Sequence, residues 1–361
     1  MMKERWRSTW EEIRFLATAR PRTAYIGWNG HGNLGDEILY RACETLLGKE
    51  LALYSKMYTG KGVKYILGKK VDCVLLGGGT LVHSKFFLER FHALHAPWQV
   101  VFGSGVQDPV FWNQFPGFQE NMVAWRETLN QVDYLSVRGP LSQQVLRDNG
   151  VTTPIELIGD PALIFARKTV GPGPGKKILG VNVGATRNHV WGGDDTAVVR
   201  GLLPHLVRLG QAGWSFVFFP VCHGDLPLTE MVMEGLGGFP VSCVDNFLDA
   251  RAFMEGLEGV DVFLGEKLHS VILAVCVQTP SIMLEYRPKC RDFMASMEME
   301  DHCFRVDALE EVDLADRVAA LFDRRGQIQG ELAEKNDYYQ SRLREAAANV
   351  IELCVFGGSR R

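Results

Sequence analysis

Apolar and polar positions alternate along the chain in blocks that switch between strand and helix periods. Ala24–Trp28 is a short apolar run, followed by a glycine-rich loop, Asn29 to Gly35. A helix is predicted from Asp36, with Ile38, Leu39, Ala42, Cys43, Leu46 and Leu47 on one face. Val71–Leu76, Val100–Phe102, Tyr134–Val137 and Ile155–Ile158 read as further buried strands. The third of these leads into Pro140, suited to a first helical position, with Gly150 as the stop. After Gly171-Pro172-Gly173-Pro174-Gly175, which can continue neither helix nor central strand, the alternation restarts. Strands are predicted at Ile178–Val183, Phe216–Phe219, Val260–Leu264 and Ser281–Leu284, with helices near 195–210, 226–236, 248–257 and 266–277. The end is helical: Leu309–Phe322, then a long helix marked by Leu332, Tyr339, Leu343, Ala346, Val350 and Cys354.

Strand–helix alternation in two halves predicts two doubly wound α/β domains, with ligands at the carboxyl ends of the strands and in the cleft between domains. The expected segments are an amphipathic helix (1–20), a first Rossmann-like domain (21–170), a second Rossmann-like domain (176–308) and C-terminal helices (309–361). In the first segment Trp6, Trp10 and Ile13 share a face, and six basic and three acidic side chains lie between Met1 and Arg22. It reads either as a helix packed on its own domain or as a peripheral contact with an anionic membrane surface. No apolar run approaches the ~20 residues that span a bilayer, and no secretory leader is visible.

Composition narrows the class. The 361 residues are 46% hydrophobic and 23% charged with a net charge of −4, which offers no field for nucleic acid. The eight cysteines form no CxxC pair, so reduced thiols in a cytoplasmic protein are expected, with no metal site.

The candidate chemistry sits in the strand-end loops. In Gly32-Asn33-Leu34-Gly35-Asp36-Glu37, backbone N–H groups can approach a ligand, and Asp36 and Glu37 are either helix caps or cleft carboxylates. Gly77-Gly78-Gly79 is a tight turn or a place of close approach. Arg138, between a strand and a helix, suits an anion or an ion pair with Asp160. Gly265-Glu266-Lys267-Leu268-His269 runs from a buried strand into an apolar helix. Arg287 and Lys289 end the next strand, within reach of an anion at His269. The loops at Arg187 and His223 are either cleft-lining or plain surface.

Taken in order, these motifs, with Ser136-Val137-Arg138-Gly139-Pro140-Leu141-Ser142, Gly159-Asp160-Pro161-Ala162 and Tyr286-Arg287-Pro288-Lys289, resemble the polysaccharide pyruvyl transferase family from about residue 24 to 295. The resemblance implies a GT-B-like pair of Rossmann-like domains. It implies transfer of pyruvate from phosphoenolpyruvate to two hydroxyls of a sugar, as a cyclic ketal, with release of phosphate and no further cofactor. The acceptor would be a cell-surface polysaccharide or its lipid-linked precursor, met in the cytoplasm or at the inner face of the plasma membrane. The donor would be held by Lys267, Leu268, His269, Lys289, Arg287 and Arg138. His269 is expected as the acid and Asp36 or Glu37 as the base, with Asn33, Gly35, Gly78, Gly79, Arg187 and His223 lining the acceptor side or cleft. One departure is Lys267, where the family carries an arginine: a point charge replaces a bidentate fork. The residues alone also fit a nucleotide-sugar glycosyltransferase or a non-catalytic sugar-binding protein.

Overall fold

The computed structural model describes residues 15, 17–55, 71–115, 121–169 and 176–357. The Gly–Pro linker at 171–175 and nearly all of the expected N-terminal helix lie outside them; Phe15, at its end, stacks on Tyr54 with ring centroids 5.1 Å apart.

The first sheet holds β1 (Arg22–Ile26), β2 (Ala52–Tyr54), β3 (Cys73–Leu76), β4 (Gly79–Val82), β5 (Trp98–Val106), β6 (Tyr134–Val137) and β7 (Glu156–Leu157). All pairings are parallel, in the order β2-β1-β3-β5-β6-β7. β4 pairs with the later part of β5, beyond the stretch taken by β3. Gly77 and Gly78 are the break between them. A side chain at Gly77 would strike the Tyr25 ring and one at Gly78 would strike Leu39, while Gly79 has φ +107°. The triple glycine thus has a packing reason of its own.

The second sheet holds β8 (Ile178–Asn182), β9 (Ser215–Phe218), β10 (Val241–Cys243), β11 (Val262–Gly265), β12 (Ser281–Glu285) and β13 (Cys303–Arg305). It is all parallel in the order β10-β9-β8-β11-β12-β13, the Rossmann arrangement, with its switch point between β8 and β11.

The helices of the first half are α1 (Leu34–Leu47), α2 (Lys85–His92), α3 (Pro109–Trp112), α4 (Met122–Leu129) and α5 (Pro140–Asp148). The second half carries α6 (Asp195–Gln211), α7 (Leu226–Gly235), α8 (Ala250–Leu257), α9 (Leu268–Cys276) and α10 (Pro288–Ser296). Helix α9 is buried along its whole length except at His269. An all-apolar helix needs cover on every side, and α9 has it: its own sheet on one side, α1 and α12 on the other. One continuous core joins the two sheets through it.

The C-terminal segment differs in detail from expectation. Leu309–Phe322 is not one helix: a 3₁₀ turn over Val306–Glu311 stops, and Asp313 caps α11 (Leu314–Asp323) by accepting from the Asp316 N–H. Then α12 (Arg325–Phe356) runs 32 residues, about 48 Å at the usual helical rise, back across both domains. Asn336 donates to Val275 O and Tyr339 to Ser296 O. Gln340 donates to the carbonyls of Leu163, Ile164 and Ala166. Among the described residues no helix is long and apolar enough to cross a membrane. All eight cysteines are free.

Candidate active site

The carboxyl edges of the two sheets face one another. On the first side, β1 runs into the loop 27–33, whose turn needs the left-handed conformation at Gly30 (φ +87°) and Gly32 (φ +69°). Asn33 then caps α1, accepting from the Gly35 N–H at 2.9 Å. Glu37 reaches back to accept from the Gly30 N–H at 2.5 Å, which pins the loop over the first turn of the helix. Leu34 N–H donates to Val221 O at 2.9 Å, joining this loop to the second domain. Gly35 lies flat against the His269 ring, and no other residue fits there: an added Cβ would overlap the imidazole. Asp36, next in the chain, is half-buried and lies near enough to Lys289 and Lys267 for their charges to act on it.

On the second side, the switch point shapes α9. Asn182, at the end of β8, accepts from Lys267 N–H and from the Ser270 hydroxyl, and donates to Phe219 O. Glu266 accepts from the Gly184 N–H at 2.8 Å. Asp225 is fully buried and accepts from Val221, Cys222 and Ala185 N–H groups. The Lys267 stem lies against Gly184; its ammonium donates to Ala185 O and stands 3.7 Å from Asp225 Oδ1. Lys267 therefore has partners within its own domain.

Arg138, at the end of β6, is 1% exposed. It lies 3.7 Å from Asp160 Oδ2 and 3.8 Å from Asp292 Oδ2, and none of its guanidinium nitrogens makes a hydrogen bond. Asp292 comes from α10, in the other domain. It also caps α5, accepting from Leu141 N–H, Ser142 N–H and the Ser142 hydroxyl at 2.9, 3.1 and 2.6 Å. Gly139 leaves the space for it.

His269 Nε2 stands 3.7 Å from the same Asp160 oxygen, without a hydrogen bond. Burial, aided by the charges of Lys289 and Arg138, holds its pKa well below the usual imidazole value. Lys289 is the exceptional cation. It lies 5.0 Å from the Tyr286 ring centroid, and among the described residues it has neither a hydrogen bond nor an ion-pair partner. Burial, with Arg287 and Arg138 nearby, pulls its pKa down from 10.5 to about 7. Burial conversely pushes Asp36 up from 3.8 to about 7; Lys289 opposes the shift and Glu37 adds to it. Glu266 is also raised by burial, to about 8, and its Oε1 has no hydrogen bond. The N-termini of α9 and α10 both lack side-chain caps. Lys289, Arg138, His269 and these helix ends together make a positive recess, with Asp36 beside Lys289.

Other expected site residues are engaged elsewhere. Arg287 donates through Nε to His189 O at 2.6 Å and lies 5.2 Å over the Trp112 ring, clamping the loop 186–189. Arg187 is exposed, in a left-handed turn (φ +56°) that Asp195 holds through Thr186 and Asn188. His223 is exposed, edge-on to Phe247. Sequence reasoning assigns no separate role to Asp292, Asn182, Asp225 or Glu266, although Glu266 lies inside the Gly265–His269 motif and Asp225 beside His223. For Asp292 no local signal exists, since its partner lies about 150 positions away. Asp225 directly before Leu226-Pro227 is a helix-start signature that marks it.

Two facing parallel sheets, a recess at their carboxyl edges and a helix returning across both define a GT-B-like protein. Solved structures agree. A putative UDP-N-acetylglucosamine 2-epimerase from Listeria monocytogenes superposes with TM-score 0.59 at 14% identity, covering 95% of this chain and 98% of that one. UDP-GlcNAc 2-epimerase from Neisseria meningitidis bound to UDP-GlcNAc gives 0.55 at 9%, covering 93% and 99%. The S. aureus MnaA–UDP structure gives 0.56 at 11%, covering 93% and 95%. At these identities the likeness is one of fold. A search of curated proteins finds no match. The family model of polysaccharide pyruvyl transferase matches residues 33–288, and the chain belongs to that family of transferases acting on polysaccharide.

Proposed function

We propose that the protein transfers pyruvate from phosphoenolpyruvate to two hydroxyls of a saccharide, forming a cyclic ketal. The observation that carries this reading is Lys289: a half-buried cation that makes no hydrogen bond or ion pair among the described residues, beside Arg138, His269 and two uncapped helix ends. A compact trianion supplies what that recess lacks.

The donor's phosphate lies against Lys289, His269 and the N-termini of α9 and α10. Arg138 adds positive field, and Lys267 holds the loop 184–186 in place. Asp36 supplies the proton. With its pKa near 7 it is partly protonated at neutral pH, whereas burial and the charges of Lys289 and Arg138 keep His269 neutral. Proton transfer from Asp36 to the donor methylene leaves an oxocarbenium-like C2. One sugar hydroxyl forms a C–O bond there and returns its proton to Asp36. The C2–O bond to phosphate then breaks, and the phosphate leaves toward Lys289 and His269, which stabilise its charge. The second hydroxyl closes the ketal and loses its proton to the departing phosphate. Glu37 keeps the glycine-rich loop in place through Gly30 and takes no proton. The acceptor is a sugar of a cell-surface polysaccharide or its precursor, met in the cytoplasm or at the membrane's inner face.

The donor's charge raises the pKa of every base beside it, so binding takes up protons. Before the donor binds, Lys289, with its pKa pulled down to about 7, is mostly neutral at pH 8. Calorimetry at pH 8 in buffers of different ionisation enthalpy is expected to show net proton uptake on adding phosphoenolpyruvate. Proton release, or binding of a nucleoside diphosphate with none of phosphoenolpyruvate, contradicts the donor assignment.

A further inference from the structure

Tryptophan is among the residues most often kept from water. Trp28 is 41% exposed, although its neighbour Phe87 is 7% exposed. It lies two residues past the end of β1, in the loop that carries Gly30, and Glu37 ties that loop to the first turn of α1. The indole therefore sits on the same sheet edge as Asp36. Its orientation is fixed rather than free. His31 stacks on it with centroids 4.4 Å apart and planes at 22°. Phe86 and Phe87 meet it edge-on at 5.5 and 6.2 Å. Next to it, Asn29 donates to the Ser55 hydroxyl at 2.8 Å, while its own Oδ1 is buried with no hydrogen-bond partner.

We infer that Trp28 and Asn29 form an acceptor subsite: the indole is the platform for a sugar ring and Asn29 Oδ1 takes a hydrogen bond from one of its hydroxyls. A pyranose is amphipathic, with an apolar C–H face and polar rim. An immobilised exposed aromatic ring beside an unpaired acceptor matches both features at little entropic cost. The recess at Lys289 offers charge instead, and the ring beside it, Tyr286, is buried, so donor and acceptor would occupy chemically distinct parts of one edge. This deepens the proposed function and rests on its reading of the substrate as a saccharide.

The test uses the full chain and a panel of methyl glycosides of common hexoses and N-acetylhexosamines. Saturation-transfer NMR identifies panel members that bind, and titration gives their affinities; phosphoenolpyruvate affinity is measured in parallel by calorimetry. Trp28→Ala is expected to weaken glycoside binding about tenfold or more, Trp28→Phe to retain most of it, and phosphoenolpyruvate affinity to stay unchanged in both. Because Trp28 is exposed, both variants should keep the wild-type circular dichroism spectrum. Glycoside affinity unaltered in Trp28→Ala overturns the subsite, as does a wild-type chain that binds no panel member. If glycosides bind through Trp28 but phosphoenolpyruvate does not bind at all, the subsite stands and the donor reading falls.

Discussion

Lys289→Met is expected to lower kcat/KM for phosphate release from phosphoenolpyruvate by about a thousandfold, the scale of losing one preorganised charge from a transition state. The same variant should melt at the wild-type temperature or above it. Those two results together separate a ligand-binding cation from a structural one. A structural lysine would be paired, and its loss would destabilise the fold; Lys289 is half-buried and unpaired among the described residues, and its lowered pKa shows that the fold disfavours its charge, so removing that charge relieves the folded state. The pH dependence has a definite sign. The folded pKa, about 7, lies below the ordinary 10.5, so the unfolded chain binds more protons between these values and wild-type stability rises with pH across that window. The advantage of Lys289→Met should be largest below about pH 7 and shrink toward pH 10.5. Chemical denaturation at a series of pH values reads it directly. A variant that is less stable at pH 7 and still turns over would contradict the assignment.

Asp292→Ala is expected to have the largest effect on stability, a loss of about 3–5 kcal/mol in urea unfolding. One carboxylate does two jobs. It accepts three hydrogen bonds from Leu141 and Ser142 at the start of α5, and it is one of the two acids beside the buried Arg138. Truncation leaves Arg138 with Asp160 alone and uncaps α5. Asp292→Asn should recover much of the loss, because an amide oxygen still caps the helix. Since the residue spans the domains, the Ala variant should also turn over more slowly even where it remains folded. Equal unfolding midpoints for Asp292→Ala and wild type would remove Asp292 from the interdomain tie.

Much of this architecture is legible in the chain itself, because buried parallel strands are short apolar runs that end in glycine or polar loops. β3, β6, β8 and β12 show this clearly. The edge strands β10 and β13 are three residues each and carry no such run; pairing to a neighbour, not composition, makes them strands. The split between β3 and β4 hides in Gly77-Gly78 for a similar reason: the colliding partners are Tyr25 and Leu39, remote in sequence. At the site, His269, Lys289, Arg138 and Asp36 stand out from their positions at strand ends. Their division of labour does not. Whether a cation is spent on a protein partner depends on tertiary neighbours. Lys267 meets Ala185 O and Asp225, and Arg287 meets the loop at His189, while among the described residues Lys289 meets no acid within ion-pair distance. Likewise the reversal of proton affinity, Asp36 upward and His269 downward, comes from burial, which periodicity cannot report for single polar residues.

The central claim is that a saccharide leaves this enzyme carrying pyruvate as a ketal. Mass spectrometry of an acceptor panel incubated with the full chain and phosphoenolpyruvate tests it most directly. The account predicts one acceptor that gains the mass of pyruvate less one water, together with one inorganic phosphate per product, and predicts neither with Lys289→Met. Phosphate released without a modified sugar, or a sugar extended from a nucleotide-sugar donor instead, would contradict it.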